Sequence, residues 1–165
     1  MKAQKNADAA PKQYDKIGGW LILVAISLIF TPIRLLVVLF KDLLPALSAD
    51  TWSRLTTPGT EAYHPLWAPL LLFEIIGNCL FILFPIIIAI FFFQKRRFVP
   101  RLIIVLLLSN LVFVAIDYFA ADLIPFVAAQ EDIGSLTELI RVFIAGVIWV
   151  PYFLVSRRVK ATFVV

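Results

Sequence analysis

Apolar residues in this chain gather into four long blocks, about 17–40, 66–93, 101–123 and 139–155, parted by polar connections. Three of the blocks hold the ~20 residues an α-helix needs to cross a ~30 Å hydrocarbon layer, and the fourth is at the short end of that range. The pattern predicts an all-α, polytopic membrane protein with four transmembrane helices. Residues 17–165 form the transmembrane domain. Residues 1–16 are polar, basic and without apolar periodicity, and read as a flexible cytoplasmic tail.

The first block opens with Ile17-Gly18-Gly19-Trp20-Leu21. Trp20 suits a membrane interface, where an indole keeps its N–H wet and its ring among acyl chains. The two glycines allow close approach by a neighbouring helix or a loosened entry turn. Pro32 lacks an N–H and its ring crowds the carbonyl of Leu28, so a kink is expected there. Ser27, Thr31 and Arg34 recur at helical spacing as one polar stripe. A cleaved signal peptide fits poorly, because the run is long and holds Pro32 and Arg34.

The connection 41–65 mixes turn formers with charges of both signs. Leu43, Leu44, Leu47 and Trp52 are placed to lay part of it on the bilayer. His64, beside the start of the second block, reads as a surface or packing residue. In the second block Glu74 and Asn78 share a helix face, Pro85 interrupts the hydrogen-bond ladder, and Phe91-Phe92-Phe93 lead into a basic turn. Pro100 opens the third block, where its missing N–H does no harm. That block carries Ser109, Asn110 and Asp117, with Asn110 and Asp117 two turns apart on one face. The connection 121–138 contains no Lys or Arg. The fourth block places Arg141, Ala145, Trp149 and Tyr152 on roughly one side and ends in Ser156-Arg157-Arg158-Val159-Lys160.

Composition sharpens this. The chain has 165 residues, is 62% hydrophobic and has a mean hydropathy of +0.96. Soluble domains are roughly 45–50% apolar, and the four blocks leave no room for a separate one. A lone cysteine, Cys79, excludes an intrachain disulfide, and with a single histidine no metal site is expected. There is no activated nucleophile, nucleotide loop or metal set. The expectation is a protein without enzymatic activity or cofactor. Four lysines offset by two aspartates make the tail too weak for nucleic-acid binding, so none is expected.

The net charge of +4 matters less than its distribution. Basic residues collect in the tail, in the middle turn (Lys95, Arg96, Arg97, Arg101) and near the end (Arg157, Arg158, Lys160). The two alternate connections hold only Lys41 and Arg54. The positive-inside rule then places both termini in the cytoplasm. The same basic residues are expected to meet anionic lipid at about 1 kcal/mol each.

One polar layer results. At ~1.5 Å per residue, Arg34 lies about 22 Å and Asp117 about 24 Å from the cytoplasmic edge. Glu74 lies roughly 12 Å, and Arg141 roughly 3–5 Å, from the opposite edge. The cluster Arg34, Glu74, Asn78, Asn110, Asp117 and Arg141 therefore converges in the outer leaflet. An unpaired charge there costs at least ~2.5–3.5 kcal/mol. Arg34 and Arg141 are expected to pair with Glu74 and Asp117, with Asn78 and Asn110 bonding beneath. This layer either fixes helix order and register or forms a periplasm-facing polar pocket that binds a lipid head group, ion or peptide, with arginines suited to phosphate.

The segments Ile17–Leu21, Tyr63–Glu74 and Trp149–Phe163 resemble the YdgK-like family of small bacterial inner-membrane proteins. The resemblance implies four helices and an inner-membrane location, and no activity. The function expected is an accessory or interaction subunit of a membrane complex. The alternative is a small carrier or lipid-handling protein. The partners expected are membrane lipids and a membrane protein or a second copy of the chain.

Overall fold

The computed structural model describes residues 17–130 and 133–165, so the predicted tail 1–16 lies outside the described residues. Helices dominate: α1 (Trp20–Val38), continued by a π-helical turn (Leu39–Leu43) and α2 (Leu44–Ala46); α3 (Ala49–Thr56); α4 (Trp67–Phe93); α5 (Val99–Asp122); α6 (Pro125–Ala128); α7 (Ile133–Val155); and α8 (Arg157–Thr162). Four rods, Trp20–Ala46, α4, α5 and α7, are long and apolar enough to cross a membrane. Their outward faces are strongly apolar: Phe30, Leu80, Phe119 and Val147 are all exposed. Such a surface needs an apolar solvent.

Two boundaries differ from expectation. The first rod passes Phe40 and runs through Lys41 and Asp42 to Ala46, because a π-helical turn absorbs the charged pair without breaking the chain direction. The fourth begins at Ile133 rather than Leu139. Its first turns, Ile133–Glu138, are polar but free of proline, and Gly134 sits where a helix tolerates it. That early start brings Glu138 into the helix.

The rods pack in a row, α1 on α4, α4 on α5, α5 on α7. Gly77 of α4 sets one of these approaches, since a Cβ there would overlap the Phe113 ring of α5. That ring is held between Phe73 (4.7 Å) and Phe81 (5.2 Å). The main core lies toward one end. Leu21, Val24 and Leu28 of α1 meet Ile88, Phe92, Val99, Ile103 and Phe153, and α8 closes beneath with Val159 and Phe163.

This end also carries the basic residues. The α4–α5 turn is a Schellman cap: Lys95 donates its N–H to the carbonyl of Phe92 and Arg96 to that of Phe91, with Lys95 at φ 57°. The chain end docks on this turn. Arg97 donates from its backbone to Val165 (2.7 Å) and from Nε to Val164 (2.6 Å), and Val165 donates to Lys95 (3.2 Å). Gly19, at φ 58°, lies so close to the Arg158 guanidinium that a side chain there would collide with it. Close approach at the glycine pair was expected; an α8 arginine is what makes it.

Candidate functional site

A cavity of about 350 Å³ opens among all four rods. Its polar walls come from Ser27, Thr31 and Arg34 of α1, Asn110 of α5, and Glu138 and Arg141 of α7. Leu28, Phe81, Pro85, Ile103, Trp149 and Phe153 line its apolar part. The volume is within the range of small-molecule sites.

The charges do not pair as expected. Arg34 donates to Glu138 through both guanidinium nitrogens, Nη2 to Oε1 at 2.9 Å and Nη1 to Oε2 at 3.3 Å. Arg141, one turn further along α7, also donates to Glu138 Oε2. Among the described residues neither arginine is ion-paired with Glu74 or Asp117. The reason is distance along the helix: Glu138 and Arg141 share a face at i,i+3, and both lie level with Arg34. Among the described residues, two guanidinium groups thus share one carboxylate.

Glu74 and Asp117 instead lie beside each other across the α4–α5 contact. Asp117 Oδ1 is buried without a hydrogen-bond partner. Asn78 is buried and donates to the Glu74 carbonyl of its own helix (2.8 Å), while Asn110 faces the cavity. The expected single neutral layer is therefore two loci: an Arg–Glu–Arg cluster on the cavity, and an acid pair between α4 and α5.

The remaining expected residues divide similarly. Arg96, Arg97, Arg101, Arg157 and Lys160 are exposed, and Lys95 and Arg158 half-buried, at the basic end. Ser27 returns its hydroxyl to Leu23 (2.9 Å). His64 accepts from the Leu66 N–H (3.3 Å) and shapes the approach to α4. Glu138 escaped sequence reading because it was counted with the preceding connection. Its signal was the i,i+3 spacing to Arg141 in a stretch without proline.

The profile of a family described as "Protein of unknown function (DUF2569)" matches residues 14–164. The chain is 32% identical over 156 residues to the "Inner membrane protein YdgK" of Escherichia coli (strain K12), covering 91% of this chain and 94% of that protein. No solved structure matches.

Proposed function

The chain belongs to the DUF2569 family of proteins of unknown function, and from that starting point we propose a non-enzymatic accessory protein of the bacterial inner membrane that holds an anionic amphiphile. The inner-membrane location follows the relative. Both termini face the cytoplasm, by the bias of basic residues toward one end, so the cavity faces the outer leaflet.

One observation carries this reading. Arg34 and Arg141 converge on a single carboxylate at the rim of a cavity whose deeper walls are apolar. Guanidinium groups suit phosphate and carboxylate through paired donors. The apolar depth suits a hydrocarbon chain. Head and tail of an amphiphile would find their complements in that order.

Trp149 lines the cavity and supplies the test. A phosphatidic acid with brominated chains, titrated into nanodiscs holding the protein, should quench fluorescence more than brominated phosphatidylcholine. The excess should vanish in Trp149→Phe. Arg34→Gln or Arg141→Gln should weaken it about 10–100-fold, the value of one charge-assisted hydrogen bond at ~1.5–3 kcal/mol. Equal quenching by the two lipids, unchanged by both arginine variants, rejects the reading.

A further inference from the structure

The row of rods has two ends, α1 and α7. They are not packed against each other along their length, although both line the same cavity. Among the described residues, Phe153 of α7 joins the buried cluster of Leu21, Val24 and Leu28 of α1, and two further side-chain contacts mark the ends of the seam. At one end Arg34 of α1 reaches Glu138 of α7. Toward the basic end the rings of Trp20 and Trp149 meet edge to face at 6.1 Å. Between Trp20 and Arg34 the seam runs ~21 Å, bordered outside by apolar residues. The four-rod bundle is therefore a cleft clasped at both ends, and the outer clasp is made from the same arginine that the binding reading assigns to the ligand.

Resting on that reading, we propose that the α1–α7 seam is a lateral portal from the bilayer, and that Glu138 occupies the arginine pair in place of an incoming phosphate or carboxylate. The exchange is one anion for another. A ligand anion reaching Arg34 and Arg141 takes the donors that Glu138 holds, so the clasp opens as the head group binds. Glu138 competes because its carboxylate meets both guanidinium groups through the same donor geometry a phosphate would use. Apparent affinity is lowered by the fraction of protein whose arginines are already engaged. The apolar depth of the cavity then receives the chain through a seam that is less closely packed than the α1–α4, α4–α5 and α5–α7 contacts.

The test uses full-length protein in nanodiscs. Glu138→Gln keeps the side-chain shape and removes the competing charge. Half-saturation by brominated phosphatidic acid, read from Trp149, should fall about tenfold. Inorganic phosphate is added as competitor: displacement by millimolar phosphate assigns the rim to the free anion, and none assigns it to the lipid. Thirdly, Thr31→Cys and Val142→Cys, in a Cys79→Ser background, are bridged by a bifunctional maleimide. Bridging should abolish quenching by lipid added afterwards and leave quenching by lipid added beforehand intact. If Glu138→Gln weakens binding, or bridging leaves later-added lipid free to quench, the portal and the exchange are overturned while the binding reading stands. If wild type and both arginine variants show no preference for the anionic lipid, the binding reading itself fails.

Discussion

Removing charge from Arg34 and Glu138 together separates the two pairing schemes by free energy. Let Arg34→Gln, Glu138→Gln and their combination form one cycle, and Arg34→Gln with Glu74→Gln a second. With donor–acceptor distances of 2.9 and 3.3 Å, the charge centres lie about 4 Å apart. The attraction there is about 4 kcal/mol at an effective dielectric of ~20. The side chains are 48% and 29% exposed, which lets solvent cut that figure. Exposed pairs couple by ~0–1 kcal/mol, whereas breaking buried pairs costs ~3–5. A coupling of about 1–2 kcal/mol is therefore expected between Arg34 and Glu138. At ~2–4 °C per kcal/mol for a chain of this size, it reads as an interaction of about 2–8 °C among apparent Tm values from intrinsic fluorescence in detergent. The Arg34–Glu74 cycle should close within ~0.3–0.5 kcal/mol, as for sites without shared partners. A coupling above 1 kcal/mol in the second cycle, with none in the first, would refute the observed pairing and restore the one predicted from sequence.

Three further outcomes are expected. Gly77→Ala places a methyl group against the Phe113 ring, which Phe73 and Phe81 hold on both sides; it should cost about 1–3 kcal/mol, and Phe113→Leu in the same chain should recover part of that in Tm. Lys95→Gly relieves a left-handed backbone at a helix cap and should stabilise by about 0.5–1 kcal/mol; a fall in Tm would show that the lysine side chain outweighs the backbone term. Glu74→Gln should leave stability within about 1 kcal/mol, because the amide keeps the side-chain shape and can donate to the neighbouring Asp117 carboxylate. Glu74→Leu leaves Asp117 without that neighbour and should lower expression and Tm together.

The rods were legible because an apolar run has one structural solution in a bilayer, and their ends mostly followed local chemistry. Pro100 did open α5, and the second rod ended at Phe93 before the basic turn. What sequence could not supply was lateral order. Depth along a helix follows from residue count, and it was depth that suggested one layer of Arg34, Glu74, Asp117 and Arg141. Which faces meet depends on rotation about each axis and on neighbours. The sequence names Glu74 and Asn78 as one face but not the rod that face meets. Asp117 proved to be its neighbour because α4 packs on α5, a contact set in part by Gly77 and Phe113. The helix-start error at Ile133 mattered more than its size suggests, because it hid the carboxylate that both arginines use.

The division of charge also bears on what holds the rods in register. A neutral layer of four interlocking charges would resist any movement among the helices, since every displacement would strand an ion. The arrangement found places that resistance unevenly. The acid pair lies within the α4–α5 interface, where Phe73, Phe81 and Phe113 already fix the packing. The arginine cluster lies between α1 and α7, which are not among the closely packed pairs, and about half of each arginine side chain remains accessible. A contact that exposed contributes little stability, so register is better served by the aromatic interface and by the core under α8. The arginines therefore sit where they do the least for stability and the most for an arriving anion. On the proposed function, that asymmetry, rather than the presence of charge in the rods, is what makes the arginine cluster a site rather than a brace.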